Sequence, residues 1–158
     1  MADVDPAVFR QLLGRFATGV VVVTTLDRTG RSVGMTANSL ASVSLVPPLV
    51  SICIDRAAHL YAPIISAPHF TINVLAEDQE EISRRFAGPH EGRFDGVGYH
   101  LNERGLVLLD GALAYIDCNR EAVHEAGDHV IVVGRVIGGM AREARPLLYF
   151  RGGYGSLG

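Results

Sequence analysis

Apolar residues recur at several different spacings along this chain of 158 residues, and each spacing predicts a different element. Phe9, Leu12, Leu13 and Phe16 return at three- and four-residue steps, with Arg10, Gln11 and Arg15 elsewhere on the wheel, which predicts an amphipathic helix that opens the fold. Asp5-Pro6 ahead of it supplies an N-cap acid and a proline at the first helical position. From Gly19 to Leu26 the run is apolar and rich in β-branched residues, the pattern of a buried strand. Asp27-Arg28-Thr29-Gly30 then turns the chain back through Arg31 to Met35 as a hairpin. Pro47-Pro48 cannot extend a ladder, so the next strand runs from Leu49 to Asp55.

Beyond Asp55 a short helix-like piece runs through Ile64 and Ile65, and Phe70 to Leu75 reads as a strand. Glu77 to Phe86 reads as a helix with Ile82 and Phe86 inward and Arg84-Arg85 at its end. A loop rich in Gly, Pro and charge follows, containing Arg93-Phe94. Gly111 to Arg120 and His129 to Ile137 alternate as half-buried strands, and Leu147 to Phe150 is the last. Seven strands, few helices and frequent turns predict a mainly β fold, a β-barrel with peripheral helices.

The polar run Thr36 to Val43 stands out because it carries hydroxyls and one amide but no formal charge. Small residues (Ala37, Ser39, Ala41, Ser42, Ser44) let a planar ring approach the backbone, while Thr36 and Asn38 offer donors and acceptors to its edge. Taken alone, such a run also has a purely local explanation as a polar connection. Arg56-Ala57-Ala58-His59, directly after a strand, offers charge and backbone dipoles to a phosphate, or is a solvated turn.

Composition narrows the class. At 48% hydrophobic, the chain suits one domain over residues 1–158 and is short for two. A net charge of −3 with acids and bases interspersed gives neither a nucleic-acid footprint nor a basic membrane face. No apolar run approaches a bilayer span and the first residues lack a signal pattern, so a soluble, cytoplasmic protein is expected. Cys53 and Cys118 lie in apolar or alternating runs and are expected to be buried thiols with no metal or redox spacing. Two motif matches fail on context. The G-x-G-x-x-G pattern from Gly153 has no helix pattern after it, and His124-Glu125 meets its next histidine, His129, five residues on instead of four.

Four segments, in this order, carry a resemblance: Phe16-Ala17-Thr18-Gly19-Val20-Val21-Val22-Val23-Thr24; Gly34-Met35-Thr36-Ala37-Asn38-Ser39; Ser42-Val43-Ser44-Leu45 before Pro47-Pro48; and Gly127-Asp128-His129. Together they resemble the short flavin reductases, the NAD(P)H:flavin oxidoreductase components of two-component monooxygenases in the flavin-binding split-barrel superfamily. The likeness runs over nearly the whole chain. It implies an FMN-binding split β-barrel, FMN or FAD with NADH or NADPH, a flavin-dependent monooxygenase that receives reduced flavin, and a homodimer. By the same resemblance Thr36, Ala37, Asn38 and Ser39 hold the ring edge, and Asp55, Arg56, Ala58, His59 and Arg85 the phosphate. Ser42, Cys53, Phe86 and Arg93 are further cofactor-binding candidates. His129, beside Asp128, is the catalytic candidate facing the nicotinamide, with Tyr154 and Phe150 bordering that space. The family often has a small hydroxyl residue where His59 stands. Hydride transfer between two cofactors needs no protein nucleophile, which accords with the lack of a catalytic triad. A flavin carrier or electron-transfer protein on the same barrel is the alternative, and the motifs do not choose among flavins, nicotinamides or oxygenases.

Overall fold

The computed structural model describes residues 1–158. Its organising element is β2 (Val21–Leu26), preceded by α1 (Pro6–Leu13) and the two-residue β1 (Thr18–Gly19). Alternate residues of a strand face opposite ways, and here both sides are apolar. Val21 and Val23 join a core with Ile52, Ile54, Phe70 and Ile72, whereas Val20 and Val22 join a second core with Leu75, Phe86, Leu109 and Leu147. That explains why the run is continuously apolar instead of alternating. The hydroxyls of Thr24 and Thr25 are buried but satisfied, donating to the carbonyls of Val107 (2.8 Å) and His69 (2.7 Å).

Around β2 the chain builds one seven-stranded antiparallel sheet from β3 (Ser32–Ala37), β4 (Ala41–Ser44), β5 (Leu49–Asp55), β6 (His69–Val74), β9 (Ala114–Ala126) and β10 (His129–Ala141). The order is β3-β2-β6-β9-β10-β5-β4. Its two edges, β3 and β4, are consecutive in the chain yet unpaired, so the sheet curls into a barrel that stays open between them. This split is bridged by the corner Asn38-Ser39-Leu40. The remaining elements are α2 (Tyr61–Ser66), α3 (Glu80–Ala87), the β7 (Tyr99–Leu101) and β8 (Val107–Leu109) hairpin, and the β11 (Leu148–Phe150) and β12 (Gly153–Gly155) hairpin, which pairs with β1.

Several expectations need adjusting. Six of the seven expected strands lie in this sheet, whereas Leu147 to Phe150 becomes β11 of the separate β1-β11-β12 sheet, and the seventh place is taken by β4, within the polar connection; its residues are mostly exposed, which is why no apolar alternation announced it. β9 and β10 run to Ala126 and Ala141, well past the alternating stretches, and β7, β8 and β12 are three-residue strands with too few side chains to show a period. Helix α1 forms where expected, Asp5 Oδ1 accepting from the Ala7 amide at 2.8 Å, yet none of its residues is buried. Phe9 and Phe16 are 54% and 74% exposed. An amphipathic period shows that one face is apolar, not which surface covers it. Cys118 is buried, and burial pushes its thiol up to about 12, whereas Cys53 is only half-buried. No helix is long and apolar enough to cross a membrane.

Candidate functional site at the barrel split

The open edge at β3 gathers one group of the residues singled out from the sequence, Thr36, Ala37, Asn38 and Tyr154. On β3 Gly34 and the Thr36 side chain share one face, and α3 packs across it. Helix α3 holds that position through Phe86, fully buried against Gly34, and through Ser83, whose carbonyl accepts from Thr36 Oγ1 at 2.7 Å. Tyr154, arriving on β12, places its hydroxyl 2.7 Å from Ser83 Oγ and stacks edge-on against Tyr149 at 5.5 Å. The result is a cavity of about 190 Å³ lined by Thr36, Ala37, Asn38, Ala87 and the two tyrosines, uncharged and floored by small residues. Asn38 also borders a second cavity of about 280 Å³ under Phe16, Thr18 and Leu40. Beside it the Thr18 hydroxyl is buried without a hydrogen-bond partner. An orphaned donor, small residues and no charge suit an uncharged heterocycle with polar edges, so these residues fit a flavin or nicotinamide ring.

Inward of edge strand β4, the β5–β10 ladder carries a second group of candidates. Ile52 and Ile54 enter the core, which turns Cys53 and Asp55 outward. Antiparallel register puts Cys53 opposite Ile131 and Asp55 opposite His129. Ser39 fastens the corner to this edge, its hydroxyl accepting from the Cys53 amide at 2.9 Å and donating to the Cys53 carbonyl at 3.2 Å. Gly127, with φ 64°, makes the two-residue Gly127-Asp128 turn between β9 and β10 and lets the Asp128 carbonyl accept from the Arg56 amide at 3.0 Å. Asp128 Oδ1 lies 2.7 Å from His129 Nδ1, and that hydrogen bond holds the Asp128 carboxyl below its ordinary range. The carboxylate therefore stays ionised at neutral pH. Because it can only accept, it fixes the hydrogen on Nδ1 of the half-buried imidazole.

The remaining candidates sit around these two groups. Asp55 Oδ1 caps the following turn by accepting from the Ala57 amide at 2.8 Å, and half-buried Ala58 donates to the Asp55 carbonyl at 3.0 Å. The Arg56 guanidinium is 3.4 Å from Glu125, an exposed pair. His59 stacks on His90 with centroids 4.0 Å apart, at a polar cavity of about 420 Å³ that also reaches Gly34 and Arg93. Arg93 donates to the carbonyls of Gly34 (2.6 Å), Gly88 and Pro89, and Arg85 to that of Asp95, so both guanidinia fasten the 88–95 loop. Burial lowers the Arg93 pKa. Phe86 shows no exposed surface, and it affects a ligand only through the position of α3. Ser42 is exposed on β4, opposite Val50, and Phe150 is 45% exposed away from the cavity. Ser83 and Tyr149 were not singled out, and Thr18 figured only within the Phe16–Thr24 segment. Ser83 precedes inward Phe86 by three residues, the one sequence signal that marked its face.

Topology and site together define a flavin-binding split barrel, and the comparisons agree. The chain belongs to the flavin reductase family: the family model described as "flavin reductase like domain" matches residues 13–158. A flavin reductase of Pseudomonas putida is 42% identical over 153 residues, covering 96% of this chain and 90% of that protein. The flavin-dependent monooxygenase reductase subunit HsaB of Rhodococcus jostii is 42% identical over 152 residues, covering 96% and 77%. Among solved structures, the NADH:FAD oxidoreductase SgcE6 of Streptomyces globisporus C-1027, with NAD and FAD fragments, superposes with a TM-score of 0.92 at 36% identity, covering 100% and 98%. The chain spans only 48% of a longer Rhizobium meliloti relative that is 43% identical over 150 residues.

Proposed function

We propose that this chain, acting as one flavin reductase-like domain, uses NAD(P)H to reduce free FMN or FAD and supplies the reduced flavin to a partner monooxygenase. One observation carries the reading. Ser39 of the uncharged Thr36–Ser39 stretch is hydrogen-bonded to Cys53 on β5, two residues before Asp55, which lies opposite His129 in the β5–β10 ladder and directly before Arg56. When bound there, flavin and nicotinamide supply the hydride chemistry themselves. The chain's own part is to seat one ring on small residues, offer Asn38 and the Thr18 hydroxyl to polar edges, and orient His129 through Asp128. NADH or NADPH oxidation followed with each of FMN, FAD and riboflavin tests the reading. Flavin-dependent turnover supports it, while tight flavin retention with negligible NAD(P)H oxidation establishes the non-catalytic carrier instead.

Arg56 is the proposed phosphate seat. Its exposed pairing with Glu125 contributes at most about 1 kcal/mol and is easily exchanged for a phosphate. Arg56→Ala is therefore expected to weaken FMN and FAD by about 1–3 kcal/mol in equilibrium titrations and to leave riboflavin nearly unchanged. Equal losses for all three flavins would remove Arg56 from that role.

The protein is further proposed to be a homodimer. The uncovered face of α1 with Phe9, Leu12 and Leu13, the following Phe16, and Leu45-Val46 at 87% and 88% exposure, are more apolar surface than a lone soluble subunit ordinarily leaves in water. Light scattering at micromolar concentration is expected to return twice the chain mass; a fully active monomer contradicts this.

A further inference from the structure

Behind the β11–β12 hairpin lies a cavity of about 330 Å³ lined by Arg10, Gln11, Gly14, Arg15, Arg151 and Gly152, with no carboxylate and no apolar side chain. None of the three arginines forms an ion pair or a side-chain hydrogen bond, although most other arginines here have such a partner. Three like charges around one hollow repel one another unless an anion joins them. The dipole of α1 accounts for a basic residue in its last turn, Arg10, but not for Arg151, which comes from a different element. Arg151 is moreover the one non-glycine residue with positive φ (54°), held there as its amide donates to the Gly14 carbonyl at 2.9 Å. A non-glycine residue kept in a backbone conformation that glycine adopts more readily, its guanidinium 5.9 Å over the Phe150 ring and lining one cavity with two further arginines, is the mark of a built feature.

We propose that this cavity is a phosphoryl-binding site. Guanidinia match phosphate geometry through paired N–H donors, and a concave hollow lined only by polar groups fits a small anion better than a protein segment or a bilayer. The site lies at the turn of a hairpin that also reaches the ring cavity. Arg151-Gly152 is the turn of the hairpin whose strands carry Tyr149 and Tyr154, and Tyr149 is two residues away, roughly 7 Å along an extended chain. The phosphoryl group has two possible sources: a dinucleotide whose ring lies in the split, or a free phosphate or pyrophosphate.

Titration of the intact protein with inorganic phosphate and with pyrophosphate, followed by calorimetry and phosphorus NMR, tests the site without turnover, so its failure leaves the reductase reading standing. Saturable binding is expected, weakened at least tenfold in Arg15→Gln and in Arg151→Gly. The glycine variant removes the Cβ at positive φ and is expected to melt no lower than wild type, which separates lost binding from lost folding. Competition of pyrophosphate against NADH, NADPH or FAD, with KM raised and kcat unchanged in both variants, assigns the site to that dinucleotide; binding without competition assigns it to the free anion. No saturable binding up to about 10 mM, a concentration beyond the weakest useful affinity, overturns the proposal. So does unaltered binding in the Arg10→Gln/Arg15→Gln/Arg151→Gly variant. Co-sedimentation with phosphatidylglycerol vesicles in place of saturable anion binding overturns it in favour of a membrane contact.

Discussion

Truncating Phe86 to alanine is expected to lower the melting temperature by roughly 6–20 °C, from a loss of about 3–5 kcal/mol for a fully buried aromatic in a chain of this size. The ring is 0% exposed, joins the second core with Val20, Val22 and Leu147, and meets Phe94 edge-on at 5.0 Å. A Cβ added at Gly34 would lie 3.1 Å from Phe86 Cε1, which shows how closely α3 sits on β3. On the β3 side little can collapse into the space left behind, because the surface there is backbone at Gly34 and not a mobile side chain. Loss of the ring therefore loosens α3, and with it Ser83, the hydroxyl partner of Tyr154 and carbonyl partner of Thr36. Flavin affinity measured well below the melting point is expected to fall along with stability. Calorimetry decides the first point; a shift under about 2 °C, less than one kcal/mol at this chain length, would show that Phe86 packs loosely and that α3 is held by its hydrogen bonds alone.

What was legible in the sequence was whatever is encoded locally. The β2–β3 hairpin could be read because a β-branched run, an Asp27–Gly30 turn and a returning strand are neighbours; Asp27 Oδ1 does accept from the Thr29 and Arg31 amides. Edge strand β4 could not, since an exposed strand held by backbone pairing to β5 needs no apolar period. Charge was visible at Arg85 and Arg93, but not the carbonyls that occupy them, which belong to Asp95, Gly34, Gly88 and Pro89. Nor can spacing place Tyr154 on Ser83, 71 residues earlier, because that contact depends on the β11–β12 hairpin being held to β1 through β11. The Gly127-Asp128-His129 triplet is intermediate. Its turn geometry is local, whereas the register that sets His129 opposite Asp55 is a property of the closed ladder.

His129→Ala is expected to divide the two halves of the reaction. The imidazole sits opposite Asp55 in the β5–β10 ladder, outside the lining of the uncharged ring cavity, so the flavin dissociation constant should stay within about twofold, well under the roughly 1.4 kcal/mol of a tenfold change. The loss should appear on the reductant. With Nδ1 committed to Asp128 at 2.7 Å, Nε2 is the nitrogen left for a polar edge such as a carboxamide. Removing one such bond is expected to lower kcat/KM for NAD(P)H by roughly 5- to 100-fold, the range from a neutral to a charge-assisted hydrogen bond. A general acid would cost more, about 10²–10⁴-fold, so the size of the effect separates positioning from proton transfer. A histidine that only begins β10 predicts something different: a lower melting temperature with normal kinetics in the folded protein. Stopped-flow reduction of flavin-saturated enzyme across a range of NADH concentrations distinguishes the two, since a positioning role raises the concentration needed for half-maximal reduction, and unchanged reduction traces would take His129 out of the site.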